Sequence, residues 1–224
     1  MREIVLDTET TGLKPEDGHR IVEIGCIELH NLMPTGATFH QYINPERDMP
    51  PEAFQVHGLS DEFLADKPVF AEIVGEFLEF VGDAKLVIHN ASFDMGFINS
   101  ELRTLGFKTI PMSQATDTVR MARDKFPGAQ ASLDALCRRF DIDNSARTKH
   151  GALLDAELLA EVYLELMGGR QRGFGLTAEP AQRPAETVTV ERVVRPARPH
   201  APSDEELAAH REFLKLLKEP VWES

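Results

Sequence analysis

The chain has 224 residues, 37 acidic and 24 basic, with a formal net charge of −13, 42% hydrophobic residues and 27% charged ones. That balance marks a globular chain with one core of ordinary size and excludes a disordered polymer. The acidity argues against a protein that coats nucleic acid, because phosphate contacts need Lys and Arg; it leaves room for an enzyme whose acidic site is neutralised by bound cations.

The opening Met-Arg-Glu-Ile-Val-Leu has no signal-peptide character, and no apolar run reaches the ~18–20 residues of a membrane span. Cys26 and Cys137 each sit in an apolar stretch and read as buried free thiols of a reducing compartment. The expectation is a cytoplasmic protein with no membrane contact.

Ile4-Val5-Leu6 reads as a strand that ends in the polar string Asp7-Thr8-Glu9-Thr10-Thr11-Gly12. Residues 21–30 alternate as a second strand, and residues 37–44 are predicted as a third after a turn at Pro34-Thr35-Gly36. Phe70, Ile73, Val74, Phe77, Leu78 and Val81 have helical spacing, and Lys85-Leu86-Val87-Ile88 is a fourth strand ending at His89-Asn90. Three more helices are predicted: one through Phe93, Phe97, Ile98 and Leu102; one through Leu133, Leu136 and Phe140 with Ser132 as N-cap; and one from about Ala152 to Leu166, stopped by Gly168-Gly169. Strands first and helices after them imply an α/β layered domain over residues 1–169.

Residues 170–202 hold five prolines, six arginines, three glutamates and no lysine, so they carry +3 and leave −16 on the rest of the chain. With few apolar residues they read as a flexible linker. Residues 203–224 resume with the capping-box pattern Ser203-Asp204-Glu205-Glu206 and an apolar stripe of Leu207, Phe213, Leu214, Leu216 and Leu217, followed by Trp222.

If the first strand continues, Asp7 and Glu9 share one face and project together at the sheet's C-terminal edge. Paired anions call for a cation, and hard oxygen ligands suit Mg2+ or Mn2+; the same string also fits a solvated turn with a capping Asp. Asp94 falls in the first turn of its helix, where a carboxylate equally serves the macrodipole. His150 lies about one turn before Asp155. Asp155 shares an apolar face with Leu154 and Leu158, where a lone carboxylate is expensive and a metal would remove the cost. His150 fits either a helix cap or a general base near neutral pH.

Together, Asp7-Thr8-Glu9, His89-Asn90-x-x-Phe93-Asp94 and His150-x-x-x-x-Asp155 resemble the DEDDh family of 3′–5′ exonucleases, and within it the proofreading exonucleases of bacterial replicases. The resemblance runs from Ile4 to about Gly169. It includes the whole string Ile4 to Gly12 and Val56-His57-Gly58-Leu59 with Asp61-Glu62-Phe63-Leu64, and departs at none of the five catalytic positions. It implies a ribonuclease H-like three-layer α/β/α domain with a mixed central sheet, and two divalent cations, Mg2+ or Mn2+. Asp7, Glu9 and Asp155 are the implied metal ligands, Asp94 the supporting carboxylate and His150 the general base, with no covalent intermediate. Glu52 and His57 are implied beside the terminal nucleotide together with Asp7, Thr8, Glu9 and Asp155. Thr8, Thr10, Thr11, Gly12 and Leu13 would line its pocket through backbone and apolar contacts. Read without the resemblance, His57 is a loop residue that hydrogen-bonds locally.

The implied substrate is DNA with a single-stranded or frayed 3′ end, because unpairing costs a few kcal/mol and a mismatch lowers that cost. Gln171-Arg172-Gly173-Phe174-Gly175-Leu176 resembles peptides that bind the bacterial sliding clamp, and fits an ordinary linker start equally. The stripe in 203–224 with Trp222 is implied to hold the polymerase catalytic subunit, the alternative being a helix folded back on the domain. A small accessory subunit is a further implied partner. An RNA-trimming DEDDh ribonuclease and a mainly structural replicase subunit are the rival readings.

Overall fold

The computed structural model describes residues 1–145, 147, 149–169 and 201–215. Five strands, β1 (Arg2–Thr10), β2 (Ile21–His30), β3 (Met33–Tyr42), β4 (Lys85–Ile88) and β5 (Ala115–Asp117), form one sheet in the order β3-β2-β1-β4-β5. The β1–β2 and β2–β3 pairs are antiparallel, and β1–β4 and β4–β5 are parallel, so the sheet is mixed as expected. Seven α-helices accompany it in the described part of this unit: α1 (Pro51–His57), α2 (Asp61–Leu64), α3 (Phe70–Val81), α4 (Ala91–Thr104), α5 (Thr118–Lys125), α6 (Leu133–Phe140) and α7 (Ala152–Leu166).

The period-2 alternation of β1 divides the core into two layers. Ile4 and Leu6 pack on one face with Phe70, Ile73, Val74 and Phe77 of α3 and Phe97, Ile98 and Leu102 of α4. Val5 faces the other way, into a cluster with Leu136 of α6 and Leu158, Leu159 and Val162 of α7. Each face is covered by helices, which is why β1 and β4 read as near-continuous apolar runs. Cys26 and Cys137 are both buried and free.

The hairpin between β2 and β3 corrects one expectation. Pro34-Thr35-Gly36 lies inside β3, and the chain reverses at Asn31-Leu32, both with positive φ (52° and 67°). A two-residue hairpin loop of this hand matches the right-handed strand twist, and Asn accepts the conformation readily. The Gly and Pro are tolerated because this stretch of edge strand is exposed, and the register shifts between Ile27 and Leu29.

α7 is buried on almost every side, by Ala152, Ala156, Leu159, Val162, Tyr163 and Leu166 among others. Two contacts fix it against the sheet. Tyr163 donates from its hydroxyl to Glu3 Oε1 at 2.7 Å. At Gly25 a Cβ would come within 2.3 Å of the Ala152 and Leu153 backbone, so the helix start can approach β2 only because this position is glycine.

The chain divides into two compact units, Met1–Gly175 and Leu176–Ser224. The second contributes α8 (Asp204–Leu214), capped by Ser203, whose hydroxyl accepts from Glu206 N–H at 3.3 Å while Glu206 Oε2 accepts from Ser203 N–H at 2.8 Å. The linker stretch 170–200, including the peptide 171–176, lies outside the described residues, as do Leu216, Leu217 and Trp222. Among the described residues no helix is long and apolar enough to cross a membrane.

Candidate active site

β1 runs through Thr10, so Asp7 and Glu9 stand on one face of a single strand, the face toward α7. Gly25 lies directly across the ladder from Asp7, and Glu23 across from Glu9. The start of α7 packed on Gly25 brings Asp155, in its first helical turn, to the same corner. Asp94 arrives from the other layer. After β4 the chain turns at Asn90 in the left-handed region (φ 69°), and α4 begins so that Asp94 falls in its first turn. Its Oδ1 accepts the Thr8 hydroxyl at 2.7 Å.

Asp7, Glu9, Asp94, Asp155 and His150 thus line one cavity of about 320 Å³, with Phe93 and Arg147 on its wall. Glu9, His150 and Asp155 come closest, each offering an atom within 4.8 Å of the other two. Asp7 and Asp94 stand in the same cavity but outside that closest set. Thr8, Glu9 and Phe93 also border a second cavity of about 510 Å³, walled by Thr10, Thr11, Gly12 and Leu13 and by Glu52 and His57. Every residue expected beside the substrate therefore lines one of two adjoining cavities. Thr8 is a particular case, because its hydroxyl is engaged by Asp94.

The electrostatics are those of an anionic cluster short of cations. Burial raises the Asp7 carboxyl well above its ordinary value, and the charges of Asp94, Glu9 and Asp155 raise it further. Burial, Asp155 and Glu23 push Glu9 up to about 8. Burial pushes Asp94 up to about 7 against the Thr8 hydrogen bond, which favours the anion. Asp155 behaves oppositely. Burial would raise it, but hydrogen bonds from His150 and Arg147, with the charge of Arg147, hold it below the usual range.

Arg147 escaped the sequence analysis. Its Nε and Nη2 donate to Asp155 Oδ1 and Oδ2 at 2.5 and 2.6 Å, and its Nη1 to Asp134 Oδ1 at 2.9 Å. Nη2 lies 2.8 Å from His150 Nδ1, which in turn is 3.3 Å from Asp155 Oδ2. The signal was present as an arginine in the loop just before the His150–Asp155 pair, but a loop arginine reads as solvated until α6 and α7 are placed.

His57 is buried, with Nδ1 accepting from Leu59 N–H at 3.0 Å and Nε2 lacking a partner. Burial lowers its pKa, which favours the neutral ring, and the residue borders the larger cavity.

The donor set fits divalent cations. Oxygen-rich ligands with one imidazole suit such ions, and carboxylates raised by burial and mutual repulsion are stabilised as anions only by added positive charge.

A mixed sheet covered by helices, with four carboxylates and a histidine at its edge, is the arrangement that the resemblance to DEDDh exonucleases implies. The RNase_T family model, described as an exonuclease, matches residues 4–163. The chain is 53% identical to the DNA polymerase III subunit epsilon of Rickettsia conorii over 232 residues, 97% of each chain. It is 49% identical to that of Escherichia coli K12 over 228 residues, 97% of this chain and 93% of the relative. In fold it resembles the nuclease domain of 3′hExo, a DEDDh family member bound to rAMP, with a TM-score of 0.65 at 18% identity over 74% of this chain and 91% of that one. It also resembles exonuclease X in complex with 5′ overhanging duplex DNA, with a TM-score of 0.57 at 24% identity over 73% and 90%. The chain belongs to the exonuclease family and, within it, to the DNA polymerase III epsilon subunits. It is a 3′–5′ exonuclease of a class that works with divalent metal ions.

Proposed function

We propose that this chain removes mispaired 3′-terminal nucleotides as the proofreading subunit of a replicative DNA polymerase, with Mg2+ or Mn2+ held by Asp7, Glu9 and Asp155 and supported by Asp94. The observation that carries the role assignment is the convergence of these four carboxylates and His150 on one cavity. When bound, the two ions supply Lewis acidity toward the attacking water and stabilise charge on the leaving 3′ oxygen.

The remaining steps belong to the protein. The larger cavity takes the terminal nucleotide, with its floor formed by the Thr8–Leu13 backbone and its wall by Glu52 and His57. A base reaches this cavity only when unpaired, so a mismatched end, already partly frayed, enters at lower cost. Phe93 and Glu9 border both cavities and set the terminal phosphodiester between them. His150, about half exposed, accepts the proton of the attacking water as oxygen bonds to phosphorus; the 3′ oxygen departs and a nucleoside 5′-monophosphate is released.

The same reading assigns residues 203–224 to the polymerase catalytic subunit and 171–176 to the sliding clamp, places a small accessory subunit among the partners, and locates the protein in the cytoplasm. Support comes from the identity to epsilon subunits along nearly the whole chain and from α8, which exposes Leu207 and Phe213. The deciding experiment presents 3′-labelled mismatched and matched primers, in DNA and in RNA, to the chain with Mg2+. Faster release from mismatched DNA is expected; preference for RNA would replace this reading with the trimming ribonuclease.

A further inference from the structure

The proposed chemistry makes no use of Arg147. Its side chain is only 9% exposed and bridges two helices, from Asp134 on α6 to Asp155 on α7. It covers both carboxylate oxygens of Asp155 and stands against His150, so it engages two of the three groups that approach one another within 4.8 Å. The guanidinium takes a lone pair on each Asp155 oxygen and sets a positive charge on the side where a divalent cation would bind, so the two cations compete for this carboxylate.

We propose that Arg147 is the resident counter-cation of the ion-free site: it holds Asp155 and His150 in place until an ion binds, and leaves Asp155 when one does. Ion binding is then an exchange, and its affinity is the difference between two cation–carboxylate interactions. The geometry gives the arginine a place to go. Nη1 is already held by Asp134, itself braced by Asn144 Nδ2 at 3.0 Å, and Asp134 is half exposed at the cavity rim. The main chain nearby is tied to α1 through His150 N–H and Val56 O at 3.2 Å, so the side chain can turn while the loop keeps His150 in position. Such an exchange keeps a buried carboxylate paired in both states, avoiding the large cost of an uncompensated buried charge.

The inference rests on Asp155 being an ion ligand, and the test separates the two claims. The full chain is titrated with MgCl2 while the arginine Nε–H resonances are followed by NMR, the Arg147 peak being the one missing from Arg147→Lys. That peak should move in step with Mg2+ saturation. By calorimetry Arg147→Met should bind Mg2+ about tenfold tighter than wild type, a decade being about 1.4 kcal/mol, with Arg147→Lys between them because it keeps the charge but loses the bidentate fork. The ion-free Arg147→Met protein should melt below wild type, and saturating Mg2+ should close the gap. If that variant does not fold without ions, Arg147→Lys and the wild-type spectrum decide alone. An Arg147 peak unmoved at saturation, or variants that bind Mg2+ no tighter than wild type, would overturn the exchange. Wild-type protein that binds neither Mg2+ nor Mn2+ would instead overturn the ligand assignment beneath it.

Discussion

Replacing Gly25 by alanine tests how the catalytic corner is held together. The added Cβ would lie 2.3 Å from Ala152 C and Leu153 N and 2.5 Å from Ala152 O, all main-chain atoms that cannot rotate away. Carbon atoms rest at about 3.5–4.0 Å, so the start of α7 must retreat by about 1 Å. Overpacking of this kind costs about 1–3 kcal/mol, which a domain of ordinary stability, about 5–15 kcal/mol, survives. The chemistry suffers more. Asp155 rides on the displaced turn while Asp7, across the ladder from Gly25, stays with the sheet. A misplacement of ~1 Å in such a site costs on the order of 10²-fold in rate. The assay is release of a 3′-terminal label from single-stranded DNA at saturating Mg2+, corrected for folded fraction by thermal unfolding. Gly75→Ala in α3 is the control, because its Cβ meets nothing within 4 Å; it should add about 0.5–1 kcal/mol of stability at unchanged rate. A Gly25→Ala protein with the wild-type rate per folded molecule would refute the argument that this glycine sets the distance between Asp155 and Asp7.

Asp7→Asn should abolish nuclease activity and weaken Mg2+ binding while raising the melting temperature of the ion-free protein, because it removes a buried carboxyl that on folding must either repel its neighbours or take up a proton; a lower ion-free melting temperature would count against that cost. His150→Ala should slow turnover with little loss of ion affinity, and a wild-type rate across about pH 6–9 would remove it as the base. For stability against pH, Glu9 is raised from 4.5 to about 8 and Asp94 from 3.8 to about 7. Over that window the folded state holds protons the unfolded state has lost, so these two groups make the EDTA-treated protein less stable as pH rises, until both have ionised. Saturating Mg2+ should flatten that decline in a series of urea titrations. Deleting residues 203–224 should leave hydrolysis of single-stranded DNA intact and abolish capture of the polymerase subunit in a pull-down.

Four helices, α3, α4, α6 and α7, were legible because burial of one stripe dictates their period, whereas the short α1, α2 and α5 were not predicted. The spacing of Phe70, Ile73, Val74, Phe77 and Val81 maps onto the buried face of α3, and Ser132 caps α6 by accepting from Ala135 N–H at 3.3 Å. The hairpin was misread because Pro and Gly at 34–36 look like a turn, whereas Asn31-Leu32 carries no glycine to announce its positive φ. β5 was missed for a different reason: three half-buried residues, Ala115–Asp117, have no periodicity of their own and become a strand only by pairing with β4. At the site, the carboxylates stood out because charged residues in apolar surroundings are conspicuous. Gly25 and Arg147 did not, since the significance of each depends on α7, which reaches them from more than a hundred residues away for one and across a loop for the other.

The divergence among the four carboxylates carries the remaining step. Asp155 is buried, yet it alone is held below the ordinary range, and it alone is hydrogen-bonded by the Arg147 guanidinium. Asp7, Glu9 and Asp94 share the cavity without such a partner, and each is raised. The ion-free site is therefore neutralised in two ways, by an arginine at one acid and by protons at the others. Binding divalent cations must displace both, so ion uptake should release protons near neutral pH as well as free the arginine. Buffers of different ionisation enthalpy would expose this in calorimetry: the apparent heat of Mg2+ binding should vary with the buffer for wild type and somewhat less for Asp94→Asn, which loses one proton donor while Asp7 and Glu9 keep theirs. A heat independent of buffer in the wild-type protein would mean that the carboxylates are already ionised, and that Arg147 alone balances them.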